Sequence, residues 1–182
     1  MKKPKKLLLM MQAIFTAIGA LTSLIMLQRA IKVNGNVLDI INGIVYVVVY
    51  AYAITYAVYN YKNDDKYYNY FIYGYAALLG IEILYSGKMM EGFGLGENTV
   101  LLLNTVNLIA FGCVIQFANN LENRKKALTY MGVANGLKFG IELYLIIRLF
   151  NYIEPVHMLT ALSVPVLGTT LLLAYANRYG ED

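Results

Sequence analysis

Chemically reactive side chains are scarce in this chain. Its 182 residues include one Cys, one His and no Trp. The single Cys113 excludes an internal disulfide or a cysteine-based metal cage, and we expect it to serve packing. The single His157 excludes the HExxH metalloprotease motif, and the chain contains neither a GxSxG motif nor a cluster of Asp residues. We therefore expect no enzyme activity, no bound metal and no cofactor.

Charged residues are also few, at 14% of the chain, whereas hydrophobic residues reach 59%. A helix needs about 20 mostly apolar residues to cross a bilayer, and only a fully hydrogen-bonded backbone is stable there. Six stretches meet this requirement and are predicted to be membrane spans: 6–28, 37–60, 67–89, 99–120, 127–150 and 156–178. We predict an all-α polytopic membrane protein, with residues 1–182 as a single transmembrane domain. The first stretch is too long for the core of a cleaved signal peptide.

The net charge of +4 follows a topological pattern. Arg29, Lys32, Lys88 and Arg148 fall at one side of the six spans. The other side has the larger set: Lys2, Lys3, Lys5, Lys6, Lys62, Lys66, Arg124, Lys125, Lys126 and Arg178. Because basic residues accumulate at the cytoplasmic face, both termini are predicted to be cytoplasmic. The distribution of positive charge therefore indicates orientation in a lipid bilayer. We expect no nucleic acid as partner. The frequent use of Tyr, Asn and Lys is typical of an A·T-rich bacterium, so we expect a bacterial inner membrane.

Small residues recur at nearly equal intervals along the odd-numbered spans. Gly19, Gly80 and Gly140 align, and the tripeptide Gly-Ile-Glu occurs at both 80–82 and 140–142. This spacing predicts three consecutive hairpin repeats, approximately 5–62, 63–122 and 123–182. The alternative is that bilayer thickness alone gives six similar helices a common spacing. Mitochondrial carriers also contain three hairpins, but their Pro-x-acid motif is missing here.

Three ionisable residues lie within predicted spans, where charge is costly and usually functional. They are Glu82, Lys138 and Glu142. Lys138 and Glu142 are four residues apart, so they share a helix face and can pair, with Glu82 as a second partner. One interpretation is a structural ion pair. The other is a ligand site in which Lys138 meets an anionic group and the carboxylates meet a cation or a proton.

Neutral polar residues extend this candidate ligand site. Asn104 and Asn107 share one face of the fourth span, and Tyr46 and Tyr50 lie on one face of the second. Asn also occurs at 42 and 135, and the commoner use of Asn in membranes is to join helices, at roughly 1 kcal/mol. The predicted ligand-binding set is Glu82, Lys138, Glu142, Asn104, Asn107, Tyr46 and Tyr50.

Two small-residue faces are candidates for helix packing. Gly132, Gly136 and Gly140 form a stripe on the fifth span, and Ala13 and Ala17 begin another on the first. Small residues allow close helix approach in membranes. We expect the glycine stripe to pack within the chain, with docking of a homo-oligomer or a partner membrane subunit as the alternative.

In length, span number and predicted orientation, the chain resembles the substrate-binding subunits of energy-coupling factor vitamin transporters. The small-residue face of the first span is similar to the alanine motif with which those subunits dock their partner. The resemblance is architectural, and it implies a solute-binding or transporter-type protein for a small polar or charged solute. The alternative function is an oligomeric pore or a membrane effector without catalysis. A lipid-acting enzyme would need an outer cluster such as Asp39, Glu97, Glu154 and His157, whose spacing does not support one.

Overall fold

The computed structural model describes residues 6–33, 35–60, 65–92, 96–152 and 154–179. Within these ranges the chain is helical and contains no strand, which confirms the predicted all-α class. The helices are α1 (Lys6–Lys32), α2 (Val37–Thr55), α3 (Asp65–Gly92), α4 (Glu97–Asn119), α5 (Arg124–Leu149) and α6 (Pro155–Tyr179). A π-helical turn, Tyr56–Asn60, extends α2. Lys2, Lys3, Lys5 and Lys62, used above to predict orientation, lie outside the described residues.

Local sequence explains where several helices begin. Asn36 caps α2 in a reciprocal box, in which its side chain accepts from the helix and its backbone N–H donates to Asp39 at 3.1 Å. The Asn123 side chain accepts from the Lys126 backbone N–H at 3.2 Å and starts α5. Pro155 occupies the first position of α6, where its missing N–H costs no hydrogen bond.

The six helices form a closed ring. Each packs on the next in the chain, α6 packs back on α1, and α3 also contacts α6 across the middle. Because consecutive helices are joined by short connections, neighbours run antiparallel. One end of the ring carries the α1–α2, α3–α4 and α5–α6 connections, and is called the hairpin end below. The opposite end, with the start of α1 and the end of α6, is the termini end.

Four of the helices are long and apolar enough to cross a membrane, which indicates a multi-pass membrane protein. The qualifying segments are Ala13–Lys32, Val37–Val58, Glu97–Asn119 and Pro155–Ala176. Among the described residues, α3 and α5 are too polar to qualify. Both contain ionisable residues in mid-helix, and α3 is rich in Tyr. The crossing of all six helices, the threefold repeat and the orientation of the termini stay predictions.

The three aligned glycines have different surroundings. A Cβ atom added at Gly19 would lie 2.7 Å from Ser163 and 2.8 Å from Tyr50, so α1 approaches α2 and α6 closely there. A Cβ at Gly80 would meet only Phe111, at 3.7 Å, and one at Gly140 would meet nothing within 4 Å. The glycine of α1 thus faces the interior and that of α5 faces outward, so the aligned positions are not structurally equivalent.

The expected packing of the glycine stripe inside the chain is wrong. Gly132, Gly136 and Gly140 are exposed, and a Cβ at any of them would have no neighbour within 4 Å. The physical reason lies on the opposite side of α5, where Lys138 and Glu142 are buried. Positions two residues apart on a helix are about 200° apart, so turning Glu142 inward turns Gly140 outward.

Aromatic side chains fill the termini end. Tyr56 and Phe71 have ring centroids 5.3 Å apart, and Phe117 and Tyr175 are at 5.4 Å with an edge-on geometry. The Tyr68 hydroxyl donates to the Leu171 carbonyl at 3.0 Å, and the Tyr175 hydroxyl donates to the Leu121 carbonyl at 2.8 Å. Tyr68 and Tyr175 therefore join separate segments of the chain while their hydroxyls stay satisfied.

Candidate functional site

A cavity of about 100 Å³ lies inside the hairpin end. All six helices contribute to its lining. Its polar side chains are Ser23, Asn42, Tyr46, Glu82, Tyr85, Asn107, Lys138, Glu142, His157 and Thr160. Five of the seven predicted ligand-binding residues are among them. The ring closure explains this convergence, because it brings α3, α4 and α5 opposite α1, α2 and α6.

Lys138 is the centre of the polar cluster. Its side chain is fully buried, and its Nζ donates to Glu82 Oε2 at 2.7 Å, to Glu142 Oε1 at 2.8 Å and to Asn107 Oδ1 at 3.0 Å. The predicted pairing of Lys138 with a carboxylate, Glu142 or Glu82, is thus confirmed, and both carboxylates are partners. An ammonium group has three donors. The cluster therefore uses every donor of Lys138 and joins α3, α4 and α5.

Glu82 is fixed from two sides. Lys138 donates to its Oε2, and the Tyr46 hydroxyl of α2 donates to its Oε1. Among the described residues, Lys138 is the donor to the Glu142 carboxylate, whose side chain is just 9% exposed. The two carboxylates lie beside the same ammonium and against the same cavity, so they do not belong to separate helix interfaces.

Asn42 is buried in the cavity wall with an unused acceptor. The residue is 9% exposed, and its Oδ1 has no hydrogen-bond partner among the described residues. Leaving a buried polar atom without a partner costs about 1–3 kcal/mol. An acceptor in this position can bind a donor that enters the cavity.

Two predicted ligand-binding residues lie elsewhere. The Tyr50 hydroxyl shares a hydrogen bond with Ser163 Oγ, which ties α2 to α6 beside the cavity. Asn104 is partly exposed on α4, and the cavity lining includes Asn107 but not Asn104. The three-residue spacing leaves the two amides about 60° apart around α4 and one turn apart along it, and of the two only Asn107 reaches the cavity.

The prediction missed several lining residues. Asn42 could have been found, because it precedes Tyr46 by four residues and shares its helix face. Ser23 and Thr160 carried no such signal. Their hydroxyls donate to carbonyls of their own helices, Gly19 at 2.7 Å and Val156 at 2.9 Å, as ordinary helix hydroxyls do.

A salt bridge lies at the surface of the hairpin end. Arg29 in the last turn of α1 donates to the Glu154 carboxylate just before α6, and the two side chains are 52% and 58% exposed. The hydrogen bond and the positive charge of Arg29 hold the pKa of Glu154 below its usual value. Exposed pairs of this kind add little stability.

Metal ligands do not converge in the described residues. No group of three or more His, Cys, Asp or Glu side chains has an arrangement there that could hold a metal ion. The cavity therefore offers hydrogen-bond acceptors and charge, and its ligand chemistry follows from those groups.

A scan against protein-family models, a search of curated proteins and a search of solved structures each found no match for this chain. The resemblance to vitamin-transporter subunits therefore has no support beyond architecture.

Proposed function

We propose that this protein is a small polytopic membrane protein of transporter or solute-binding type, without catalytic activity. The observation that carries the proposal is the cavity at the hairpin end, which all six helices line and which contacts Glu82, Lys138 and Glu142. A purely structural ion pair needs no cavity beside it. Ionisable residues in membrane helices commonly mark the route or binding site of a solute.

The proposal includes six membrane crossings, with both termini in the cytoplasm of a bacterial cell. The polarity that separates α3 and α5 from the other helices comes partly from Glu82, Lys138 and Glu142, which pair inside the ring and away from lipid. In this orientation the cavity lies in the outer half of the bilayer. A C-terminal fluorescent reporter that folds only in the cytoplasm tests the orientation, and absence of fluorescence would contradict it.

Solute uptake into proteoliposomes tests the function. The purified full chain is reconstituted, and the entry of small cationic, anionic and neutral solutes is followed by light scattering. Ala161→Phe places a bulky ring in the cavity wall. We expect this variant to lose the solute flux that the natural chain supports.

Ala176→Phe is the matched control, because Ala176 is exposed on the same helix and does not line the cavity. It should retain the flux. Equal flux through both variants would contradict a route through the cavity. Absence of solute flux, together with absence of binding by any of the solutes, would contradict the proposed function.

An oligomeric pore or membrane effector is a second candidate, favoured by the open glycine face of α5. Gly132, Gly136 and Gly140 lie one turn apart and face outward, next to the exposed Val133 and Phe139. Such a face allows close approach of another membrane helix. That helix would come from a second copy of the chain or from a partner membrane subunit.

Gly136→Leu tests this assembly. If the glycine face joins subunits, the variant should have a smaller molecular mass in detergent by light scattering. Gly112→Leu is the control, since Gly112 is also open but lies on α4, outside the stripe. A natural chain that is monomeric in detergent and in nanodiscs would contradict the second candidate.

A further inference from the structure

The sign of the solute's charge can be argued from the hydrogen bonds in the cavity, provided that the proposed solute-binding function holds. Among the described residues that line the cavity, Lys138 is the only Lys or Arg. Its three donors are directed to Glu82, Glu142 and Asn107. An anion in the cavity would therefore find no free ammonium N–H on Lys138.

The cavity has unused hydrogen-bond acceptors. Among the described residues, Asn42 Oδ1 has no hydrogen-bond partner, and Lys138 donates to one oxygen of the Glu142 carboxylate, Oε1. Both residues line the same cavity, and both are more than nine-tenths buried. Two acceptors that face one void are suited to a ligand that donates hydrogen bonds or carries positive charge.

The charge balance favours the same sign. The lining contains two carboxylates, Glu82 and Glu142, against one ammonium, Lys138, which leaves one negative charge when His157 is neutral. An unbalanced carboxylate in a largely buried cluster attracts a positive charge. Either a proton or a cation with one charge would neutralise the cluster.

The cavity size limits the cation. A water molecule occupies about 30 Å³ in the liquid. A cavity of about 100 Å³ thus has room for an ion of that size with one or two waters. Because the described residues hold no group of metal-ligating side chains, a tightly chelated divalent transition metal is a poor fit.

We propose that the hairpin-end cavity binds a small monovalent cation between Asn42 and Glu142, with Lys138 serving to hold the carboxylates in place. Ammonium suits the two acceptors, because it can donate a hydrogen bond to each. Sodium and potassium share its charge and would use the same oxygens as ligands.

Thermal unfolding and calorimetry of the purified full chain in detergent test the inference. Ammonium, sodium and potassium chlorides are titrated against choline chloride at constant ionic strength and pH. A parallel series of choline salts varies the anion. We expect saturable stabilisation by at least one of the three small cations, and no dependence on the anion.

Three variants locate the site. Asn42→Asp adds a negative charge beside the cavity and should tighten cation binding by about tenfold, whereas Asn42→Leu should weaken it by a similar factor. Glu142→Gln should also weaken it and provides an independent measurement if an Asn42 variant fails to fold. Asn119→Asp is the control, because Asn119 is exposed at the opposite end of α4. It should leave the affinity unchanged.

The outcomes separate this inference from the proposed function. Saturable stabilisation that depends on the anion, or uptake of a neutral solute that Ala161→Phe abolishes without any cation effect, would overturn the cation site and leave solute binding intact. Cation stabilisation that Asn42→Leu and Glu142→Gln leave unchanged would also overturn the site. Failure of every solute to bind would contradict both proposals.

Discussion

The two ends of the helix ring provide partners for their polar groups with different chemistry. At the termini end, polar groups include Tyr hydroxyls: Tyr68 donates to a backbone carbonyl of α6, and Tyr175 donates to a carbonyl in the α4–α5 connection. At the hairpin end, the polar groups are charged side chains, which surround a cavity and bond to one another. A hydroxyl needs one acceptor, and a backbone carbonyl provides it. A charge needs a specific partner.

This difference determines which end can carry a ligand. A Tyr ring packed against other rings is stable whether or not anything binds nearby. The Lys138 cluster forms a set in which removing one member leaves the others uncompensated. Beside it, Asn42 Oδ1 has no hydrogen-bond partner among the described residues. The hairpin end therefore retains binding capacity, while the Tyr68 and Tyr175 hydroxyls of the termini end already bond to backbone carbonyls.

Removing Lys138 should give the largest loss of stability. Lys138→Met would leave Glu82 and Glu142 side by side in the ring without a counter-charge, at a cost of about 3–5 kcal/mol. Unfolding in detergent, followed by circular dichroism, measures the change. Combining Lys138→Met with Glu142→Gln should recover part of the loss, because one uncompensated carboxylate is then neutral.

Lys125→Met is the control for this charge removal, since Lys125 is exposed in the first turn of α5. It should change stability by less than about 0.5 kcal/mol. If Lys138→Met unfolds no more easily than Lys125→Met, the charged cluster does not hold the hairpin end together.

Truncation at the termini end should destabilise without changing the ligand site. Phe117→Ala removes a fully buried ring that packs on Tyr175, at a cost of about 3 kcal/mol. Because Phe117 does not line the cavity, cation affinity measured by calorimetry below the unfolding temperature should stay unchanged. A parallel loss of affinity would show that the two ends are energetically coupled.

Sequence periodicity and charge predicted much of this architecture. The lengths of the apolar stretches predicted the six helices, and the four-residue spacing of Lys138 and Glu142 predicted their pairing. The rotation of each helix was not predictable. Gly19 and Gly140 align in sequence but face opposite ways, because the Ser163 and Tyr50 contacts orient α1 and the charges orient α5. Rotation depends on such partners from distant parts of the chain.

The smallest expected effects on stability come from removing single buried Tyr hydroxyls, one with a hydrogen-bond partner and one without. Tyr50 and Tyr75 are both fully buried, but the Tyr50 hydroxyl bonds to Ser163 whereas that of Tyr75 has no partner among the described residues. Tyr50→Phe should lose about 1 kcal/mol of unfolding free energy, as a typical hydrogen bond does. Tyr75→Phe should be neutral or slightly stabilising, because it removes a buried polar atom that has no hydrogen-bond partner among the described residues.

Each variant is the other's control for loss of one hydroxyl, and denaturant unfolding of both measures the difference. A larger loss for Tyr75→Phe than for Tyr50→Phe would mean that the Tyr75 hydroxyl has a partner in the folded protein, and that the polar network of the hairpin end extends further toward the termini end.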